Sequence, residues 1–428
     1  LVAAYLGAHA GEGYQPSEYL VRLRNEGLFG VDTLAGDPNV AKEIRHDPVA
    51  ERNRMATLIG WSLDRLSPPA RAALEFASLL QPDQIPLSWL ELLTRQQHEA
   101  ALTDQPGHPS LWGGVWRELH GLRLLHPAEA SEVDEQHQRK LPQVVRIHRL
   151  VAEHVTQANP QAERTVVELD QFLDVLTTQF EQQVGQSEDA ALRAQHPWLR
   201  DHLSHLITYH ATRTLLTSAG VAADFEGEHN TLSRALELNE RILKGNEKLL
   251  AATPDSTDLA RDVSVSLDKL ADFLARRGLP GDAEQALRHY ERCHQVLERL
   301  RDANPESAEA ARDVKVSLER MAQAVAAQPD ADAVQRALEH QSRALGIALK
   351  LRESNPQSVY YGRTAAVSFF LTFQRAQAAG QEELANQCLA GCHAVLHQLI
   401  TAGCQLDPPM MGLYQQLNAA AGGPPSDP

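Results

Sequence analysis

Aromatic side chains make up only 5% of these 428 residues, and cysteine and methionine occur four times each. Scarce aromatics beside plentiful Ala and Leu suit helix-on-helix packing. Four cysteines in so long a chain form no disulfide framework and point to a reducing, cytoplasmic compartment. No apolar run is long enough to span a bilayer, and no signal peptide is visible, so no membrane partner is expected. Positive charge is in deficit, 40 Lys and Arg against 56 Asp and Glu, a formal net charge of −16. That excludes a generally basic surface for nucleic acid or anionic lipid. Also missing are G-x-x-x-x-G-K-[ST], G-x-S-x-G, H-E-x-x-H and paired C-x-x-C. The chain is therefore not expected to be an enzyme in itself, to hold a metal, or to carry its own cofactor.

What it does have is an internal repeat. Pro254, Pro305 and Pro356 lie 51 residues apart, as do Arg261, Arg312 and Arg363, Val265, Val316 and Val367, Ser266, Ser317 and Ser368, and Leu287, Leu338 and Leu389. A repeat of this length with helical patterning inside it means stacked helix pairs, an α-solenoid. In the first helix Leu259, Val263, Leu267, Leu270 and Leu274 make one apolar stripe, matched by Ala310, Val314, Leu318, Met321 and Val325 and by Tyr361, Ala365, Phe369, Thr372 and Ala376. Gly278, Pro329 and Gly380 end these helices. In the second helix Ala283, Ala286, Leu287, Tyr290, Leu297 and Leu300 form a stripe with a small Ala face, and Asn304-Pro305 and Asn355-Pro356 stop it.

At this length two or three domains are expected. The chain opens at Leu1 inside an apolar run and not at Met, which reads as a piece of a longer protein. Residues 1–50 read as the end of a helical domain plus a linker: a helix to His9, another over Tyr19 to Asn25, then a Gly, Asp and Pro-rich stretch. Residues 51–158 read as a winged helix. A helix over Arg54 to Leu66 is followed by one capped by Ser67 with Pro68 and Pro69 in its first turn. Helices over Pro86–Leu93 and Ser110–Leu122 come next, then a hairpin of Arg123–His126 with Val144–Ile147 and a helix from His148 to Gln157. Residues 159–235 read as a helical connector, with Gly220 to His229 as the loop into the repeats. The repeats occupy 236–404, and 405–428 a short helix and a Gly/Pro-rich tail. The fold class is mainly α with one short β-hairpin.

Cys388 and Cys392, with His393 and His397 alongside, have metal-like spacing. The repeat puts Cys388 in the slot of Ala286 and Ala337, so core packing is the reading. His202 and His205 share a helix face with Tyr209 nearby and read as solvated or capping. Direct DNA contact needs a positive recognition helix and wing. Here Arg117 and Arg123 stand against Glu118, and the wing carries Glu129, Glu132, Asp134 and Glu135 against Arg139 and Lys140. His148 reads either as a helix-start histidine or as a donor toward a phosphate. Partner-facing positions on the first repeat helices are expected at Arg261, Ser264, Asp268, Arg312, Lys315 and Arg320, as exposed residues.

Residues 55 to 93 resemble the winged-helix segment of bacterial STAND signalling ATPases of the NB-ARC type. Leu1–Leu6 with Pro16–Leu20 resembles the end of the helical domain that precedes it. Ile147-His148-Arg149-Leu150-Val151 is similar to that family's Met-His-Asp motif, with only the histidine kept. The repeats are similar to the tetratricopeptide-like repeats that follow such cores. The resemblance implies a switch: ADP or ATP in the full-length protein, His148 at the β-phosphate of ADP, repeats that bind a protein or peptide trigger, and homo-oligomers on activation. The ATPase domain would lie before Leu1. A winged-helix transcription regulator with a repeat control domain, and a stand-alone repeat adaptor, are the alternatives.

Overall fold

The computed structural model describes residues 59, 62–128, 141–184, 197–229, 231–328, 330 and 332–420. The helices expected within 1–50, most of Arg54 to Leu66, the acidic part of the wing, Pro329 and the tail from Gly422 lie outside the described residues. The structure is mainly helical with one small sheet, and its contacts divide it into Leu1–His210 and Ala211–Pro428.

Pro68–Leu79 of the first unit forms α1, entered through Pro-Pro as expected. Ser67, however, does not cap its own helix: its N–H and hydroxyl both donate to the Glu118 carboxylate, at 2.6 and 2.7 Å. β1 (Ile85–Pro86) leads directly into α2 (Leu87–Gln97), then α3 (Leu111–Gly121), β2 (Leu125–Pro127), β3 (Val144–Ile147) and α4 (Arg149–Ala158). The sheet runs β1-β3-β2, all antiparallel, with Ile85 opposite Val145 and Leu125 opposite Ile147. Two differences from the expected layout stand out. The hairpin's first strand starts two residues later, because Arg123 takes a left-handed φ of 60° and closes α3. The Leu124 N–H then reaches back to the Leu119 carbonyl at 3.0 Å, the six-to-one bond of a Schellman stop. The third strand, β1, is only two residues long, ends in a proline and sits on the sheet edge, where no ladder donor is lost. Phe76, Leu74, Leu90, Trp112, Leu119 and Leu125 fill the core. α5 (Ala162–Val184) and α6 (Pro197–Tyr209) complete the unit, with the Phe172 ring edge-on to Trp89 at 5.7 Å.

The second unit is a stack of helical hairpins: α7 (Arg213–Glu228) with α8 (Leu232–Ala252), α9 (Thr257–Arg277) with α10 (Asp282–Ala303), α11 (Ala308–Ala326) with α12 (Ala333–Ser354), and α13 (Val359–Ala378) with α14 (Glu382–Thr401). α15 (Pro408–Ala420) packs on α14. The 51-residue period appears as identical entries. Ser256, Ser307 and Ser358 each accept the N–H three residues on, from Leu259, Ala310 and Tyr361. Gly278 closes α9 in the left-handed conformation, and Gly380 has the same positive φ beyond α13. Val263, Leu267, Leu270 and Leu274, and Val314, Leu318, Met321 and Val325, are buried along one stripe. Ala286, Ala337 and Cys388 share the small slot on the second helices.

The loop expected over Gly220–His229 is corrected by the structure: α7 runs through it to Glu228, capped by Thr212, and pairs with α8 as a further hairpin. Glycine misled there. Gly227 is in the helix because a Cβ would fall 2.3 Å from the Phe273 ring of α9. α15 likewise opens as a first helix, with Asp407 accepting the Met410 N–H at 2.9 Å.

Candidate interaction face

First helices of successive hairpins lie side by side and are laced by ion pairs. Arg213 of α7 reaches Asp258 and Asp262 of α9, and Lys269 reaches back to Asp224. Arg261 of α9 meets Glu309 and Asp313 of α11 at 3.0 and 3.4 Å. Arg320 of α11 returns to Asp268 and Asp272 at 3.7 and 3.2 Å. Arg312 pairs with Asp313 on its own helix at 3.4 Å, and Arg363 pairs with Asp407 at the start of α15. Lys315 pairs within α11 with Glu319 at 2.9 Å, and Glu319 accepts the Ser368 hydroxyl of α13 at 2.8 Å. Burial lifts the Asp268 carboxyl above the usual carboxylate range, against the pull of Arg320.

This lattice places the expected partner-facing residues. Arg261, Asp268 and Arg320 are half-buried and engaged with neighbouring helices, and Arg312 is half-buried and paired with Asp313 on its own helix. Ser264 and Lys315 are corrected outright: both are buried, not exposed. Their slot turns toward the second helices, where the Cys293 thiol donates to the Ser264 carbonyl at 3.3 Å. The residues of this row that do reach solvent are others. Val265, Val316 and Val367 are 47%, 42% and 40% exposed. Their recurrence was visible in the sequence, but valine at a repeated position reads as core. The signal that marks them is phase. Each is two residues past a buried stripe position (Val263, Val314, Ala365), about 200° round the helix. Val359 and Tyr360 extend this exposed set, and a hollow of about 440 Å³ lies among Val359, Tyr360, Val367, Lys315, Arg363, Thr364 and Met410.

Beneath this row runs a seam of three buried serines at the repeat spacing. Ser266 accepts from Asn246 at 3.0 Å, Ser317 pairs with His294 at 2.8 Å, and Ser368 donates to Glu319. Each ties one hairpin to the one before it.

Elsewhere, His148 is exposed at the N-cap of α4, where its Nδ1 accepts the Leu150 N–H at 3.3 Å. That fixes the ring proton of the neutral imidazole on Nε2. Arg146 and Arg149 beside it are also exposed, Arg149 lying 3.6 Å from Asp83. His202 overturns its expected solvated reading. It is fully buried on α6, accepting the Gln81 N–H on Nδ1 at 3.0 Å, with Nε2 2.8 Å from the Gln84 carbonyl. Burial pushes its pKa down to about 4. Cys388 and Cys392 are buried, and burial raises both thiols, Cys392 to about 11. His393 and His397 stack against Tyr414 of α15 at 5.5 and 6.1 Å. Among the described residues no His, Cys, Asp and Glu group is placed to hold a metal, and no helix is long and apolar enough to cross a membrane.

No protein-family model matches this sequence, and no curated protein does. Solved structures do. A putative kinesin light chain from Podosopora anserina, made of nearly identical TPR-like repeats, is 18% identical over 54% of this chain and 95% of its own, with a TM-score of 0.37. BtubC (BKLC) from P. vanneervenii is 16% identical over 60% and 89%, at 0.40. A signal transduction ATPase with numerous domains (STAND) carrying a tetratricopeptide repeat sensor, from Pyrococcus horikoshii, is 13% identical over 98% and 69%, at 0.28. None reaches a TM-score of 0.5, and the fold assignment above rests on the helix packing itself.

Proposed function

We propose that this chain is the regulatory portion of a nucleotide-switched signalling protein. The hairpins of 211–420 bind a protein trigger or partner. The helix–strand unit of 62–158, of winged-helix type, relays that event to a nucleotide-binding domain outside this chain. In this reading the chain performs no chemistry of its own, and ATP turnover belongs to that other domain.

The observation that supports the switch is the setting of His148. With Nδ1 engaged by the Leu150 N–H, the solvent-facing edge of the ring is a donor. It stands at the N-terminus of α4, where the helix dipole favours negative charge, between two exposed arginines. A phosphate oxygen is the acceptor such an edge suits. The coarser half of the proposal, protein binding by the hairpins, rests on their exposed apolar row.

The test uses the protein together with its nucleotide-binding domain. His148→Ala is expected to release bound ADP faster, with the fold intact by circular dichroism. Unchanged ADP retention in the folded variant would remove His148 from the nucleotide site and the switch with it.

A further inference from the structure

On α9 and α11 every charged side chain already has an opposite charge within 4.0 Å. The second-helix row differs: Glu291, Arg299, Lys350 and Glu353 are exposed and have no ion-pair partner among the described residues. The exposed apolar side chains follow the opposite distribution. Of the large ones in the hairpin unit, Val265, Val316, Val359, Tyr360 and Val367 lie on first helices, against Val334 on a second helix and Leu279 in a turn.

The geometry joins these two facts. On α9, Val265 sits between Arg261 and Asp268; on α11, Val316 sits between Asp313 and Arg320. The pairs Arg261–Asp313 and Arg320–Asp268 therefore bracket the two valines from either side. The next rung is the Glu319–Ser368 hydrogen bond, which flanks Val316 and Val367 on one side. The row ends at the hollow between Val367, Tyr360 and Met410. Charges locked into lateral pairs offer little to a ligand, since engaging them means breaking a pair. What remains for recognition is an aliphatic ladder, one valine per hairpin.

Resting on the reading of the hairpins as a protein-binding array, we propose that the first-helix row takes a partner segment whose docking side chains are apolar and uncharged. Val265, Val316 and Val367 are its primary contacts, and the hollow beside Met410 receives one larger side chain. An acidic or basic peptide finds no unspent countercharge on α9 or α11. Burial of apolar area drives the association, so salt has little influence on it.

The experiment is selection of a displayed library of random short peptides on the full chain. The enriched peptides should be rich in Leu, Ile, Val, Phe and Met and poor in charge. Their affinity should change less than about twofold across a tenfold rise in salt. It should fall at least about tenfold in the Val265→Ser, Val316→Ser, Val367→Ser triple variant, checked for unchanged helicity. If the triple variant loses helicity, Val316→Lys alone is the probe, and the same loss is required. Enriched peptides that are charged and strongly salt-dependent, or that bind the variants undiminished, would overturn this inference and leave the hairpins as a binding array. No enrichment at all would sink both.

Discussion

Among the described residues, the first unit is fastened by contacts particular to one place, whereas the hairpins of the second make similar contacts again from one to the next. In the first unit, Glu118 ties the start of α1 to α3, and His202 ties α6 to the 81–84 turn. In the second, Ser266, Ser317 and Ser368 each make a polar tie to the preceding hairpin, through different partners, and arginines to carboxylates repeat the lateral pairs. Where a contact is singular, its loss is expected to weaken a whole cooperative unit. Where it recurs, its loss weakens one interface among several, since a solenoid's stability is close to a sum over neighbours. The two units can be watched apart: all five tryptophans lie at or before residue 198, so tryptophan fluorescence follows the first unit only.

The sharpest way to separate them is Trp112→Ala. This side chain is 1% exposed in the first unit's core. Its truncation should cost about 3–5 kcal/mol. The fluorescence transition in urea should move to markedly lower denaturant, while the loss of helicity from the hairpins keeps its midpoint. A common shift of both transitions would break the comparison.

His202 sharpens it next. Its buried ring must stay neutral to accept the Gln81 N–H, and its folded pKa of about 4 lies below the ordinary histidine value. Below that ordinary value the unfolded chain takes up a proton that the folded chain refuses, so stability falls as pH drops. The loss starts near pH 6.5 and is complete near pH 4, reaching about 3 kcal/mol. His202→Leu should cost about 1–3 kcal/mol at neutral pH through the unpaired backbone groups. It should also flatten the acid dependence of the fluorescence transition, which the parent chain retains.

The same contrast explains what was legible. The hairpins follow from local information: the Asn-Pro stops and the stripe at helical spacing are present within one repeat, and period does the rest. α7 escaped because its spacing to α9 departs from 51 and its Gly227 is set by a ring on another helix. In the first unit the helices and the hairpin were readable from pattern. β1 was not, because two residues carry no period, and its pairing with Val144 and Val145 is a long-range event. His202 looked solvated for the same reason, its two partners lying over a hundred residues away. For the interaction face, the sequence put arginines and aspartates outward. Only their lateral pairing shows that they are engaged, and that the repeated valines are the free surface.

Ser317→Ala tests the repeated seam. It removes the partner of the His294 Nδ1 and costs about 1–2 kcal/mol. Hydrogen exchange should speed up in α10 and α11 and leave α13 and α14 unchanged. Spread of the faster exchange along all the hairpins would mean the seam acts as one unit.

The smallest effect is expected at Arg320→Gln. Arg320 is about two-fifths exposed and bridges Asp268 and Asp272. Half-exposed pairs of this kind contribute at most about 1 kcal/mol, and salt weakens them further. Urea unfolding followed by helicity should therefore shift little, and less at high salt. The consequence for recognition runs the other way: two aspartates on α9 lose their bridging countercharge beside Val265. A cationic peptide, indifferent to the parent chain, should gain measurable and salt-sensitive binding to the Arg320→Gln variant. Equal binding of that peptide to both proteins would show that the lateral pairs do not set the chemistry of the face.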